Sequence, residues 1–113
     1  MDFKTIDVKK EQDKLIVKVL EKRIYLGITD VFREEVQTLL KEDSTEIIFD
    51  LGNVSVMNSS GFGVLIMARD TITKRGGSVK LANLQNLMQE IFTRMRLDTL
   101  FPIYSNVEEA LEG

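Results

Sequence analysis

Glu46-Ile47-Ile48-Phe49-Asp50-Leu51 is followed by Gly52-Asn53, by Val54-Ser55-Val56-Met57, and then by Asn58-Ser59-Ser60-Gly61-Phe62-Gly63. The first segment is a nearly continuous apolar run of strand length, the pattern of a strand covered on both faces, which places it in mid-sheet. Gly52 and Asn53 punctuate the chain, the next four residues are mostly apolar, and Asn58-Ser59-Ser60-Gly61 opens a helical stretch to about Lys74 that Arg75-Gly76-Gly77 stops. A buried strand, a short loop and a helix form the repeating unit of an α/β domain.

Upstream, residues 3–9 and 14–20 are rich in β-branched and apolar side chains, and the polar break 10–13 between them predicts a hairpin. Ile24-Tyr25-Leu26-Gly27 is expected to extend the sheet briefly. Thr29 or Asp30 is expected to cap a helix whose apolar positions Phe32, Val36, Leu39 and Leu40 are spaced by three and four, and which ends near residues 41–44.

Downstream, Ser78-Val79-Lys80-Leu81-Ala82 reads as a strand, and Asn83 is expected to cap a helix with an apolar stripe of Leu84, Leu87, Met88, Ile91, Phe92 and Met95. That stripe is core rather than a cofactor box. A short strand at 101–104 and an Asn106-capped helix with Val107, Ala110 and Leu111 turned inward complete the pattern. One domain over residues 1–113 is expected, with a mixed sheet, right-handed later crossovers and about four helices mainly on one face.

The composition narrows the chemistry. With 113 residues, 43% hydrophobic and 29% charged, the chain can build one core. Its net charge of -3 and scattered basic residues do not form the positive surface nucleic acid needs. No apolar run reaches the roughly 18 residues that cross a bilayer, and residues 1–14 are charged where a signal peptide is apolar, so a cytoplasmic protein is expected. The chain has no cysteine and no histidine, which removes thiolate nucleophiles, Cys-based zinc sites and the commonest general base. Neither a metal nor a cofactor is expected.

Asn58, Ser59 and Ser60 are good helix-capping residues, and capping alone would account for them in any helix. Gly61 and Gly63 fit that account less well, since each glycine costs a helix interior about 1 kcal/mol against alanine; they suggest close approach by another backbone. On a helical wheel centred on Leu65, Gly61, Ala68 and Ile72 fall on the buried side while Gly63, Met67, Asp70 and Lys74 point away. An outward Met67 beside Gly63 suits an adaptable partner surface, although a lone exposed apolar residue is also ordinary.

Met57-Asn58-Ser59-Ser60-Gly61-Phe62-Gly63 resembles the Met-Asp-Ser-Ser-Gly-Leu-Gly-like stretch of STAS-domain anti-sigma factor antagonists. Lys74-Arg75-Gly76-Gly77-Ser78-Val79-Lys80-Leu81 is similar to that family's glycine turn and next strand, and residues 92–100 to its closing helix-and-leucine pattern, so the resemblance covers about 44–111. It implies a STAS domain that frees a sigma factor by binding a kinase-type anti-sigma factor. Ser59 is then the phosphate acceptor, and Asn58, Ser59, Ser60, Gly61, Phe62, Gly63 and Met67 the partner-binding residues. The implied partners are an anti-sigma factor with serine kinase activity and a phosphatase, for a protein that is a monomer or weak dimer.

A helix's first turn presents unpaired N–H groups and the positive end of the macrodipole, so a phosphate at Ser59 would meet donors already in place. Its added charge of about -1.5 to -2 would repel an acidic partner or break a close contact without refolding the domain. Two positions depart from the family: Asn58 stands where it has aspartate, and Lys22-Arg23-Ile24-Tyr25 where it shows Gly-x-Leu-Asp, with Tyr25 at the aspartate. Asn58 can cap a helix but cannot act as an anion. Tyr25 reads first as a packing residue.

Three other readings compete with this one. Asp50 could be the phosphoacceptor of a receiver domain, but Lys9-Lys10-Glu11-Gln12 offers no magnesium-binding acidic pair and the sole proline, Pro102, supplies no Lys-Pro. An enzyme would need a convergent set, and neither the serines nor Lys80 and Asp50 stand in one. The third keeps the STAS fold as an unphosphorylated binding or scaffold subunit of a transporter or signalling assembly.

Overall fold

The computed structural model describes residues 2–113. Its opening hairpin turns on Gln12 and Asp13, whose φ angles of 52° and 65° are both left-handed, as favoured two-residue hairpin turns require. β1 (Ile6–Glu11) and β2 (Lys14–Val19) therefore pair antiparallel, with Ile6 opposite Val19 and Glu11 opposite Lys14. Leu15, Val17 and Val19 alternate into the core while Lys18 faces solvent.

β4 (Glu46–Asp50) lies between β2 and β6 (Ser78–Ala82), parallel to both, and β7 (Ile103–Tyr104) closes a five-stranded sheet in the order β1-β2-β4-β6-β7. The mid-sheet position expected of Ile47-Ile48-Phe49 is thus observed. Ile47 and Phe49 join the main core, whereas Ile48 on the opposite face joins Ala82 and Ala110. Burying each of the isoleucine and phenylalanine side chains contributes about 1.5–3 kcal/mol.

Three helices cover the main-core face: α1 (Leu26–Leu39), α2 (Ser59–Lys74) and α3 (Asn86–Arg94). α4 (Val107–Glu112), capped by Asn106, lies alone on the other. Two buried or half-buried lysines reach the carbonyls at the end of α4, where the macrodipole is negative: Lys80 Nζ donates to Ala110 O at 3.2 Å and Gly113 O at 2.7 Å, and Lys14 Nζ to Leu111 O at 2.6 Å. Glu46 lies 3.3 Å from Lys80 Nζ and 3.6 Å from Lys14 Nζ and balances their charge. At the far end of α1, the Arg75 guanidinium donates to the carbonyls of Leu40, Glu42 and Ser44. Gly77 lies so close to Thr45 that a Cβ there would sit 1.7 Å from the Thr45 carbonyl oxygen.

Several elements differ from the sequence reading. Ile24 and its neighbours do not extend the main sheet: β3 (Arg23–Ile24) pairs in parallel with β5 (Val56–Met57) as a separate two-stranded ribbon. That ribbon starts α1 early. Its cap is the backbone of Tyr25, while Thr29 is buried inside the helix and Asp30 pairs with Arg33.

Asn83 does not cap α3. It adopts a left-handed φ of 63° and its Nδ2 donates to Asp50 Oδ1 at 3.1 Å, and the helix begins three residues later behind Gln85. The expected stripe on α3 is also narrower. Only Met88 and Phe92 are buried, Leu84 and Ile91 are half-buried, and Leu87 and Met95 are 59% and 49% exposed. The helix meets its neighbours along a line rather than a broad face.

Candidate functional site

The Asn58 segment is held by three elements at once. The Asn58 N–H donates to Ile24 O at 2.9 Å, which registers β5 against β3. With φ -80° and ψ 173° Asn58 is the extended N-cap of α2, and its Oδ1 accepts from the Gly61 N–H at 2.8 Å. The same oxygen accepts the hydroxyl of Thr29 on α1 at 3.3 Å. Phe62 N–H donates to Asn58 O at 3.1 Å, which leaves the N–H groups of Ser59 and Ser60 without helical acceptors.

The side chains of Ser59 and Ser60 are exposed, at the end of α2 where the macrodipole is positive. Gly61 is buried, and its close neighbours belong to this chain: a Cβ would lie 2.5 Å from Met57 Cγ and 3.0 Å from Ile24 Cγ2. Gly63 is the opposite case. It is exposed, and no heavy atom of the described residues outside its own helical surroundings comes within 4 Å of its Cβ position. Ser59, Gly63 and Met67 stand at i, i+4 and i+8, on one stripe of the helix.

Phe62 turns inward, 5% exposed, with its ring edge-on to Phe92 at 5.3 Å and 79°. It fixes the helix rather than presenting a surface. Met67 is not fully outward as the wheel suggested: it is half-buried against the core, and Gln37 Nε2 lies 3.7 Å from its sulfur. Tyr25 is 39% exposed and packs less than expected. Two residues near the site escaped the sequence reading. Thr29 supports Asn58, and Leu26 combines 76% exposure with a φ of 52°, a conformation costly for a bulky residue.

The STAS domain model matches residues 5–110, and the chain belongs to that family. It is 28% identical over 107 residues to the anti-sigma-B factor antagonist of Bacillus subtilis (strain 168), covering 95% of this chain and 96% of that protein. Among solved structures, an anti-sigma-factor antagonist (STAS) domain protein from Planctomyces limnophilus superposes with a TM-score of 0.85 at 19% identity, covering 94% of this chain and 93% of the other. The Bacillus cell fate determinant SpoIIAA in its phosphorylated form superposes with a TM-score of 0.71 at 18% identity, over 95% and 96% of the two chains. These structural likenesses establish the fold. No helix among the described residues is long and apolar enough to cross a membrane.

Proposed function

We propose that this protein is an anti-sigma factor antagonist. The start of α2 binds an anti-sigma factor that carries serine kinase activity, in the cytoplasm, and so frees a sigma factor. Phosphorylation of Ser59 by that kinase reverses the binding, and a phosphatase restores it. The bound surface centres on Asn58, Ser59, Ser60, Gly63 and Met67, with Gly61 and Phe62 setting its shape.

What carries the reading is Ser59 itself. Its hydroxyl is exposed on the first helical turn, beside two free N–H groups, on a helix start that Asn58 pins to α1 and β3. A phosphate there adds charge and bulk to a rigid platform, so the effect falls on the partner rather than on the fold. Gly63 adds support, since alanine would suit an exposed helical site better by about 1 kcal/mol and nothing among the described residues needs the space. A bare backbone strip beside Ser59 admits a partner at short range. The 28% identical Bacillus subtilis relative points to the same function.

The test is a capture from native extract with and without ATP, read by mass spectrometry. The expected result is one phosphate on Ser59, absent in Ser59→Ala and retained in Ser60→Ala, and loss of the captured kinase with Ser59→Asp. A chain that stays unmodified and retains its partner regardless of ATP and of Ser59→Asp would instead be a scaffold module.

A further inference from the structure

We propose that β1 is a homodimer interface, with two copies joined antiparallel edge to edge and Val8 opposite Val8 of the second copy. β1 is one outer strand of the five-stranded sheet and six residues long, whereas the other outer strand, β7, has two. A long open edge of unpaired peptide groups is a template for another strand.

The hydrogen-bond phase shows which groups are free. Leu20 N–H donates to Thr5 O at 2.8 Å while Ile6 stands opposite Val19, so Thr5 turns its carbonyl, and Asp7, Lys9 and Glu11 their peptide groups, toward β2, the Thr5 N–H going to Glu35 instead. Ile6, Val8 and Lys10 therefore turn theirs outward, and nothing among the described residues takes them up.

Charge selects the occupant. Asp7 and Lys9 are exposed on one face of the strand and flank Val8. In antiparallel pairing about Val8, each Asp7 faces the partner's Lys9 and each Lys9 the partner's Asp7, two complementary pairs at cross-strand distance. The neighbouring registers that keep the same peptide groups in phase fail. Centred on Asp7 the strands set Asp7 against Asp7; centred on Lys9 they set Lys9 against Lys9 and Asp7 against Glu11. The next in-phase register, centred on Lys10, also pairs Lys9 with Glu11 but sets Lys10 against Lys10. Lysines on an edge ordinarily guard it, but here the alternating sign favours the Val8-centred register, which is self-complementary and so points to a second copy of this chain. The two-fold pairing is self-complementary, so it closes at two chains. No residue of the Asn58 to Met67 site lies in β1, so the dimer presents two such sites and forms whether or not Ser59 is modified.

Sedimentation velocity on the full chain, from a few micromolar to about 1 mM, reads the equilibrium directly. A reversible monomer–dimer equilibrium is expected. Asp7→Lys alone and Lys9→Asp alone each set like charges opposite and weaken dimerisation about tenfold, while the double exchange Asp7→Lys with Lys9→Asp restores it to within about threefold. Val8→Pro removes an outward N–H that the monomer does not use and abolishes the dimer. A chain that stays monomeric throughout, a dimer indifferent to both single reversals, or a double exchange no tighter than the singles each overturns the proposal.

Discussion

Thr29 and Asn58 meet across 3.3 Å, hydroxyl to amide oxygen, and so join the side of α1 to the cap of α2. The same oxygen receives the Gly61 N–H at 2.8 Å. One side chain thus sets both the first turn of α2 and its distance from α1.

Thr29→Val keeps shape and removes the hydroxyl, and is expected to cost about 0.5–1.5 kcal/mol; Asn58→Ala also loses the cap and should cost about 1–2 kcal/mol. Because both act through one oxygen, the double variant should be less destabilised than the sum of the singles. Urea denaturation of the four proteins measures the coupling. Strict additivity would mean that the contact is not stabilising.

The two glycines of the site should respond oppositely to alanine. Gly61→Ala forces a methyl into Met57 and Ile24 and should destabilise by about 1–3 kcal/mol. Gly63→Ala should stabilise by about 0.5–1 kcal/mol, yet weaken capture of the kinase if the strip is a contact surface. Melting curves and the capture assay separate the two effects.

Glu35 supplies a pH handle. Burial pushes its carboxyl up, but the Thr5 hydroxyl, the N–H groups of Lys4 and Thr5 and the Lys4 charge together hold it below the ordinary 4.5. A carboxylate whose folded pKa is depressed adds stability that is complete above the unfolded value and is lost as pH falls through the folded one. Glu35→Gln should therefore melt lower than the parent at neutral pH, with the gap closing on acidification below about 4.5. A gap that stays constant to lower pH would assign the effect to packing.

Lys80 is 6% exposed, and its donors serve α4 and Glu46, with the Tyr104 ring 5.7 Å away. Lys80→Met removes the charge among those carbonyls and leaves Glu46 with the Lys14 cation and the Ser78 hydroxyl. A loss of about 2–4 kcal/mol is expected, because unpaired buried acceptors remain. Amide exchange in α4 should accelerate more than in α2.

What the sequence made legible was what neighbours in the chain decide. Ile47-Ile48-Phe49 announced a strand covered on both sides, and both covers are present; Asn58 announced a cap, and it caps. The start of α1 was hidden because the β3–β5 ribbon, a pairing between segments some thirty residues apart, fixes it against local propensity. Asn83 looked like a cap since asparagine tolerates both a cap and a left-handed turn, and only its contact with Asp50 separates them. Leu87 and Met95 have helical spacing, but spacing does not tell how wide a strip its neighbours will cover. The Thr29–Asn58 contact left no trace, being a product of how two helices lie together.

α4 is short and alone on its face, and that makes the domain unequal in thickness. Where it crosses β4 and β6 the molecule has three layers; beyond it, over β1 and β2, there are two, and water reaches Asp7, Lys9 and Lys18 on the bare side of the sheet. Opening fluctuations should follow that gradient, rarest at β4 and commonest at β1, so the flank of the sheet that is free to meet another chain is also the one most ready to yield to it.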